Sequence, residues 1–170
     1  FAQTKAATLA IAEWDGPVYL RFGRPKVPNF TGELNFEVGK GILLQEGTDV
    51  TIIATGHLVW KALEAAKILS EKGISAEVIN IHTIKPLDEE IILKSLEKTG
   101  CIVTAEEHQM FGGLGESVSG LLARKHPAPM EMVAVNDSFG ESGTPEQLLE
   151  KYNLNETSIV SKAEAVIKRK

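Results

Sequence analysis

The 170-residue sequence has one cysteine, Cys101, so no internal disulfide can form, and a reducing compartment is the simplest setting. No apolar run approaches the length of a membrane span, and the first residues lack the charged start and apolar core of a secretory signal. Basic residues do not dominate. The 18 Lys and Arg stand against 23 Asp and Glu, a net charge of −5, which disfavours nucleic acid and anionic membrane as partners. The four histidines fall in separate units with no metal-ligand spacing, and no G-x-S-x-G elbow marks a serine nucleophile. Low-complexity segments and sequence repeats are also absent. What is present is ordinary globular composition, 43% hydrophobic and 24% charged, enough for one domain with a real core or one domain plus a fragment. A cytoplasmic location is the expectation. Phe1 is not an initiator methionine, which fits a processed chain or a piece of a longer one.

From Val50 onward the chain keeps a regular rhythm. Short β-branched runs at Val50–Ala54, Ala76–Ile81, Cys101–Ala105 and Met130–Val135 predict strands. Between them, apolar residues at helical spacing predict helices, the first through Leu58, Ala62, Ala65, Ala66 and Leu69 and ending at Gly73. Asp88 is a candidate N-cap, with Leu87 and Ile92 placed for a hydrophobic staple. Thr144-Pro145-Glu146-Gln147 reads as a capping box with proline at the first helical position. Strand and helix alternating every 25–30 residues imply βαβ units, a mostly parallel sheet and helices on both faces. Before this region, Thr4–Glu13 predicts a helix and Val18–Phe22 a strand, a pair too small to bury its own faces. Residues 26–36 read as linker, and a short strand is expected at 41–45.

The stretch TAEEHQMFGGLGESVSGLL, Thr104 to Leu122, carries the densest chemistry: a strand end, an acidic–histidine turn, a glycine loop and a helix. Loops after the carboxyl ends of parallel strands are where ligands usually sit. Gly112, Gly113 and Gly115 lead into a helix N-terminus, where amides and dipole could hold an anion. The spacing matches neither the dinucleotide fingerprint nor a Walker loop, which favours a plain tight strand-to-helix turn over an anion site. Glu106, Glu107 and His108 could form an acid–base cluster or a polar interface network. Successive residues of an extended chain point opposite ways, so at most two of them can serve one site. Arg21 and Arg24 could grip a phosphate or form surface ion pairs.

Four motifs in order, DGPVYLRFGR (15–24), IHTIKPLD (81–88), EEHQMFGGLG (106–115) and FGESGTPEQLL (139–149), resemble those of transketolases, and the last favours them over related thiamine enzymes. The resemblance covers nearly the whole chain. It implies an α/β three-layer sandwich: a mostly parallel five-stranded sheet with one antiparallel strand and helices on both faces. Residues 1–25 then resemble the end of a pyrimidine-binding domain, 26–36 a linker, and 37–170 the C-terminal domain.

The implied activity is transfer of a two-carbon ketol unit from a ketose phosphate to an aldose phosphate, as in the pentose phosphate pathway. Thiamine diphosphate and Mg2+ would be held by parts of the enzyme outside this chain, so the chain alone is expected to bind neither and to be inactive. Its partners would be the remaining transketolase domains or an N-terminal subunit, in a homodimer that acts on phosphorylated sugars. By the same resemblance Arg24 would contact the sugar phosphate, with Arg21 as a second candidate, while Glu106, Glu107, His108 and the three glycines would lie at an interface or site loop. This sequence has Gly23-Arg24-Pro25 where transketolases usually have Ser-Arg-Gln. The matching part of a deoxyxylulose-phosphate synthase or of a 2-oxo-acid dehydrogenase β subunit is the alternative within the superfamily. A non-catalytic module binding an anion at the glycine loop is the alternative from another class.

Overall fold

The computed structural model describes residues 2–23, 27–30 and 36–170. In chain order the elements are α1 (Ala2–Ala12), β1 (Ile42–Gln45), β2 (Val50–Ala54), α2 (Leu58–Glu71), β3 (Ala76–Asn80), α3 (Glu89–Thr99), β4 (Ile102–Gln109), α4 (Leu114–Lys125), β5 (Met130–Val135), α5 (Pro145–Lys151) and α6 (Glu156–Ile167). The strands form one sheet in the order β1-β3-β2-β4-β5. All neighbours are parallel except β1, which runs antiparallel to β3. This is the expected architecture, with the short strand at 42–45 as the antiparallel one.

Two apolar layers make the sandwich. On one face Val50, Ile52, Val78 and Val103 pack under α2 and α6. On the other, Ile53, Ile79 and Ile102 pack under α3 and α4. Every residue of β2 and β3 is buried, which suits strands covered on both sides. Local signals set the helix ends. Asp88 caps α3, accepting from the Ile91 amide at 3.3 Å, and its other oxygen accepts from the Gly41 amide at 2.8 Å, which ties the start of β1 to the start of α3. Leu87 and Ile92 share one cluster, as a staple requires. Gly100 ends α3 at φ +74, in the left-handed region that suits glycine. Thr144 and Gln147 close the capping box of α5.

Two expectations fail. Val18–Phe22 is not a strand: it joins no ladder among the described residues, although β1 and β5 each leave one edge of the sheet open. Tyr19 stays 87% exposed in consequence. Glu106, Glu107 and His108 form no turn; they continue β4, which pairs with β5 as far as Gln109 through a register shift after Ala105. The expectations for Arg24 and for residues 25–26 and 31–35 lie outside the described residues.

Candidate functional site

The connection leaving β2 runs to the α2 face, while that leaving its neighbour β4 runs to the α4 face. Adjacent loops that diverge in this way open a crevice at the carboxyl ends of the strands, the topological switch point of an open α/β sheet. Of the predicted residues, Arg21, Glu106, Glu107, His108 and the glycine loop lie at this end of the sheet, while Arg24 falls outside the described residues.

Alternation along β4 separates the two glutamates, as an extended chain requires. Glu106 turns toward α4 and is 1% exposed. Its carboxylate accepts from the amides of Leu114 at 2.8 Å and Gly115 at 2.7 Å, the first turn of α4. The glycine loop therefore does bind an anion, and the anion belongs to the protein. Burying a carboxylate costs several kcal/mol, while charge-assisted hydrogen bonds return about 1.5–3 kcal/mol each, so both amides and the helix dipole are needed for balance. A second anion would meet the Glu106 charge, a repulsion of about 4 kcal/mol at 4 Å near a protein surface. Gly113 is required for closeness and not for conformation: its φ is −101, yet a Cβ there would collide with the Glu106 carboxylate. Gly115 faces the other oxygen of that carboxylate, Oε1, together with Thr104 and Met132. Gly112, at φ +76, needs the left-handed conformation and gives its amide to Glu116 at 2.5 Å.

Glu107 turns the other way, toward the N-terminus of α2, with its side chain 16% exposed. One oxygen faces Arg21 Nη1 at 3.4 Å; the other faces His57 Nδ1 at 3.1 Å. Arg21 Nη1 also contacts His108 Nε2. Arginine can only donate, so the His108 nitrogen facing it is the unprotonated one. Burial first, and the Arg21 charge second, hold the His108 pKa below its ordinary value of 6.5, against the pull of Glu106 and Glu107. Gly23 sits against the His57 ring so closely that a Cβ would overlap it. His57 was not singled out from sequence. Its signal is positional: with Gly56 it follows β2, as the glycine loop follows β4.

The three neighbours thus divide between two tasks. Glu106 anchors the loop; Glu107 and His108 meet Arg21. Among the described residues no group of three or more His, Cys, Asp or Glu could hold a metal, and the amides of Leu114 and Gly115 are taken. No helix among the described residues is long and apolar enough to cross a membrane.

Residues 39–159 match the family model described as transketolase, C-terminal domain. The chain belongs to this family. It is 47% identical over 170 residues to a 6-deoxy-6-sulfo-D-fructose transketolase subunit of Clostridium sp. (strain MSTE9), a match covering 99% of this chain and 53% of that protein. It is 43% identical to a putative transketolase C-terminal section of Methanocaldococcus jannaschii, covering 95% of this chain and 52% of the relative. A solved structure described as a split gene transketolase, inactive beta4 tetramer, superposes with a TM-score of 0.95 at 46% identity, over 98% of this chain and 55% of that one. The chain spans about half the length of these curated relatives. Its membership identifies it as a transketolase-type C-terminal part.

Proposed function

We propose that this chain is the C-terminal part of a thiamine-diphosphate-dependent transketolase that moves a two-carbon ketol unit between sugars. The observation that carries the proposal is the 47% identity to a transketolase subunit across 99% of the chain. Residues 1–25 are then the end of a pyrimidine-binding domain, 26–36 a linker, and 37–170 a C-terminal domain. Thiamine diphosphate, Mg2+ and the reacting carbons belong to the rest of the enzyme, supplied by the same polypeptide or by an N-terminal subunit in a dimeric assembly. The chain by itself binds no thiamine diphosphate, and micromolar binding of the cofactor to the isolated chain in calorimetry would overturn that.

The sugar end of the substrate is where this chain contributes. Its relatives include transketolase subunits named for a sulfo-sugar and for apulose 4-phosphate, both with an anionic tail. Arg24 contacts that tail, with Arg21 beside it in the chain. In the assembled enzyme Arg24→Ala raises the KM for phosphorylated or sulfonated sugars by ~1.5–3 kcal/mol of lost charge-assisted binding, and an unchanged KM rejects the assignment. A second reading, the matching part of a deoxyxylulose-phosphate synthase, draws on the 40% identity to such an enzyme of Geobacter sulfurreducens over 92% of this chain and 25% of that protein. Assembled enzyme that forms 1-deoxyxylulose 5-phosphate, and transfers no ketol unit, would select it.

A further inference from the structure

The switch-point crevice is where a sheet of this kind ordinarily admits a ligand. Here it holds the protein's own residues 21–23. That segment has no strand ladder, and its backbone makes no hydrogen bond among the described residues. Its position is therefore set by side chains. Glu107 uses both oxygens to set it: one faces Arg21 Nη1 at 3.4 Å, the other His57 Nδ1 at 3.1 Å. His57, so oriented, is the surface on which Gly23 sits. Two residues of one short segment are thus fixed by one carboxylate on β4, directly and through an imidazole.

The guanidinium is only partly used. Arg21 meets Glu107 and His108 through Nη1, while Nη2 and Nε make no hydrogen bond among the described residues, and the side chain is 47% exposed. A planar guanidinium anchored at Nη1 turns its Nε and Nη2 edge away from the anchor, the arrangement suited to bidentate contact with a phosphate or sulfonate. We infer that Glu107 is a positioning residue: it fixes Arg21 across the crevice so that the free edge of the guanidinium meets the anionic tail of the sugar. The inference rests on the proposed function and adds to it a role for the C-terminal domain in substrate selection. Glu107 touches no reacting atom.

The test uses the assembled enzyme with wild-type sequence, Glu107→Gln, Arg21→Ala and the double variant. Two quantities are read: ribose 5-phosphate binding by calorimetry, and ketol transfer from the uncharged ketose donor erythrulose to ribose 5-phosphate or to the uncharged acceptor glycolaldehyde. Loss of a positioning contact is expected to weaken ribose 5-phosphate binding and raise its KM by roughly 5–30-fold, with kcat held within about threefold. Glycolaldehyde kinetics stay unchanged, since that acceptor has no tail to hold. The double variant is no weaker than Arg21→Ala alone, because Glu107 acts through Arg21. A Glu107→Gln enzyme with wild-type affinity, an equal loss for glycolaldehyde, or additive effects in the double variant would each overturn the inference. If Glu107→Gln fails to assemble, Gly23→Ala takes its place: it unseats the segment from His57 without changing charge and should raise the same KM selectively. Wild-type enzyme that binds ribose 5-phosphate and transfers no ketol unit defeats the proposed reaction, while the inference is still decided by binding. Wild-type enzyme that does neither defeats both.

Discussion

At the amino ends of the strands Glu77 of β3 lies buried beneath α3; at the carboxyl ends Glu106 of β4 lies buried beneath α4. Their exposures are 2% and 1%, so the two carboxylates carry similar desolvation costs. Their partners differ in kind. Glu77 is met by side chains, Ser95 and Lys98 of α3. Ser95 in turn bonds Thr51 at 2.7 Å, and Thr51 bonds Thr99 at 2.6 Å. Glu106 is met by two backbone amides. A web of hydroxyls can re-pair when one member is lost, because each hydroxyl both donates and accepts. Amides at a helix N-terminus cannot move without moving the helix. The amino end therefore closes the sheet, and the carboxyl end fixes a loop in place so that Glu107 and His108, next along the strand, can present charge to the crevice.

The largest effect that separates the two ends is expected from Gly113→Ala. The new Cβ would strike the Glu106 carboxylate, displace it and leave the Leu114 and Gly115 amides unpaired. A loss of about 3–5 kcal/mol follows from overpacking plus two broken charge-assisted hydrogen bonds. Denaturant unfolding checks it; a midpoint equal to wild type would show that the loop does not depend on Glu106. Next in size is the direct comparison of the two glutamates. Glu106→Gln puts an NH2 group against an amide and should cost about 2–4 kcal/mol, whereas Glu77→Gln keeps an acceptor for Ser95 and should cost about 1 kcal/mol. Equal losses would erase the distinction between the ends.

How much of this was legible before the structure depended on the range of the interaction involved. Asp88, Thr144 and Gly100 work through neighbours within a few residues, and their roles as caps and stops follow from local spacing. The alternating apolar runs revealed the layers, since burial on both faces leaves a continuous hydrophobic signature. The opposite orientation of Glu106 and Glu107 was also legible, from the two-residue period of an extended chain. Their placement on a strand was not, because β4 is prolonged by pairing with β5 across a register shift, a contact between distant segments. Val18–Phe22 has strand composition but pairs with no strand among the described residues, and composition does not choose a partner. His57 reaches Glu107 across fifty residues of chain. Only strand order brings the loops after β2 and β4 together, and strand order is not written in either loop.

A pH titration should distinguish the ends by a smaller effect. His108 at the carboxyl end has a folded pKa below 6.5, because burial and Arg21 disfavour its charged form. The folded state therefore resists protonation that the unfolded chain accepts. The stabilisation is complete above pH 6.5 and is lost as pH falls from there toward the lower folded value. His82, also depressed by burial, adds in the same direction. His108→Gln should remove the contribution of this imidazole to the slope below pH 6.5 and leave that of His82. An unaltered slope below pH 6.5 would show that His108 is not held neutral.

The smallest expected effect lies at the amino end and decides where its stability resides. Lys98 spans two carboxylates, buried Glu77 and exposed Glu46, the latter at 2.5 Å. Lys98 and Glu46 form a close ion pair on the surface, and the hydrogen bond and charge of Lys98 lower the Glu46 pKa. Exposed pairs nonetheless add little to stability, because water and salt screen them and two long side chains must be held still. Glu46→Gln should therefore leave the unfolding midpoint unchanged within error at physiological salt, while Glu77→Gln lowers it, although both glutamates share one lysine. If Glu46→Gln proved as costly as Glu77→Gln, the amino end would owe its stability to the lysine bridge, and the hydroxyl web of Thr51, Ser95 and Thr99 would be secondary.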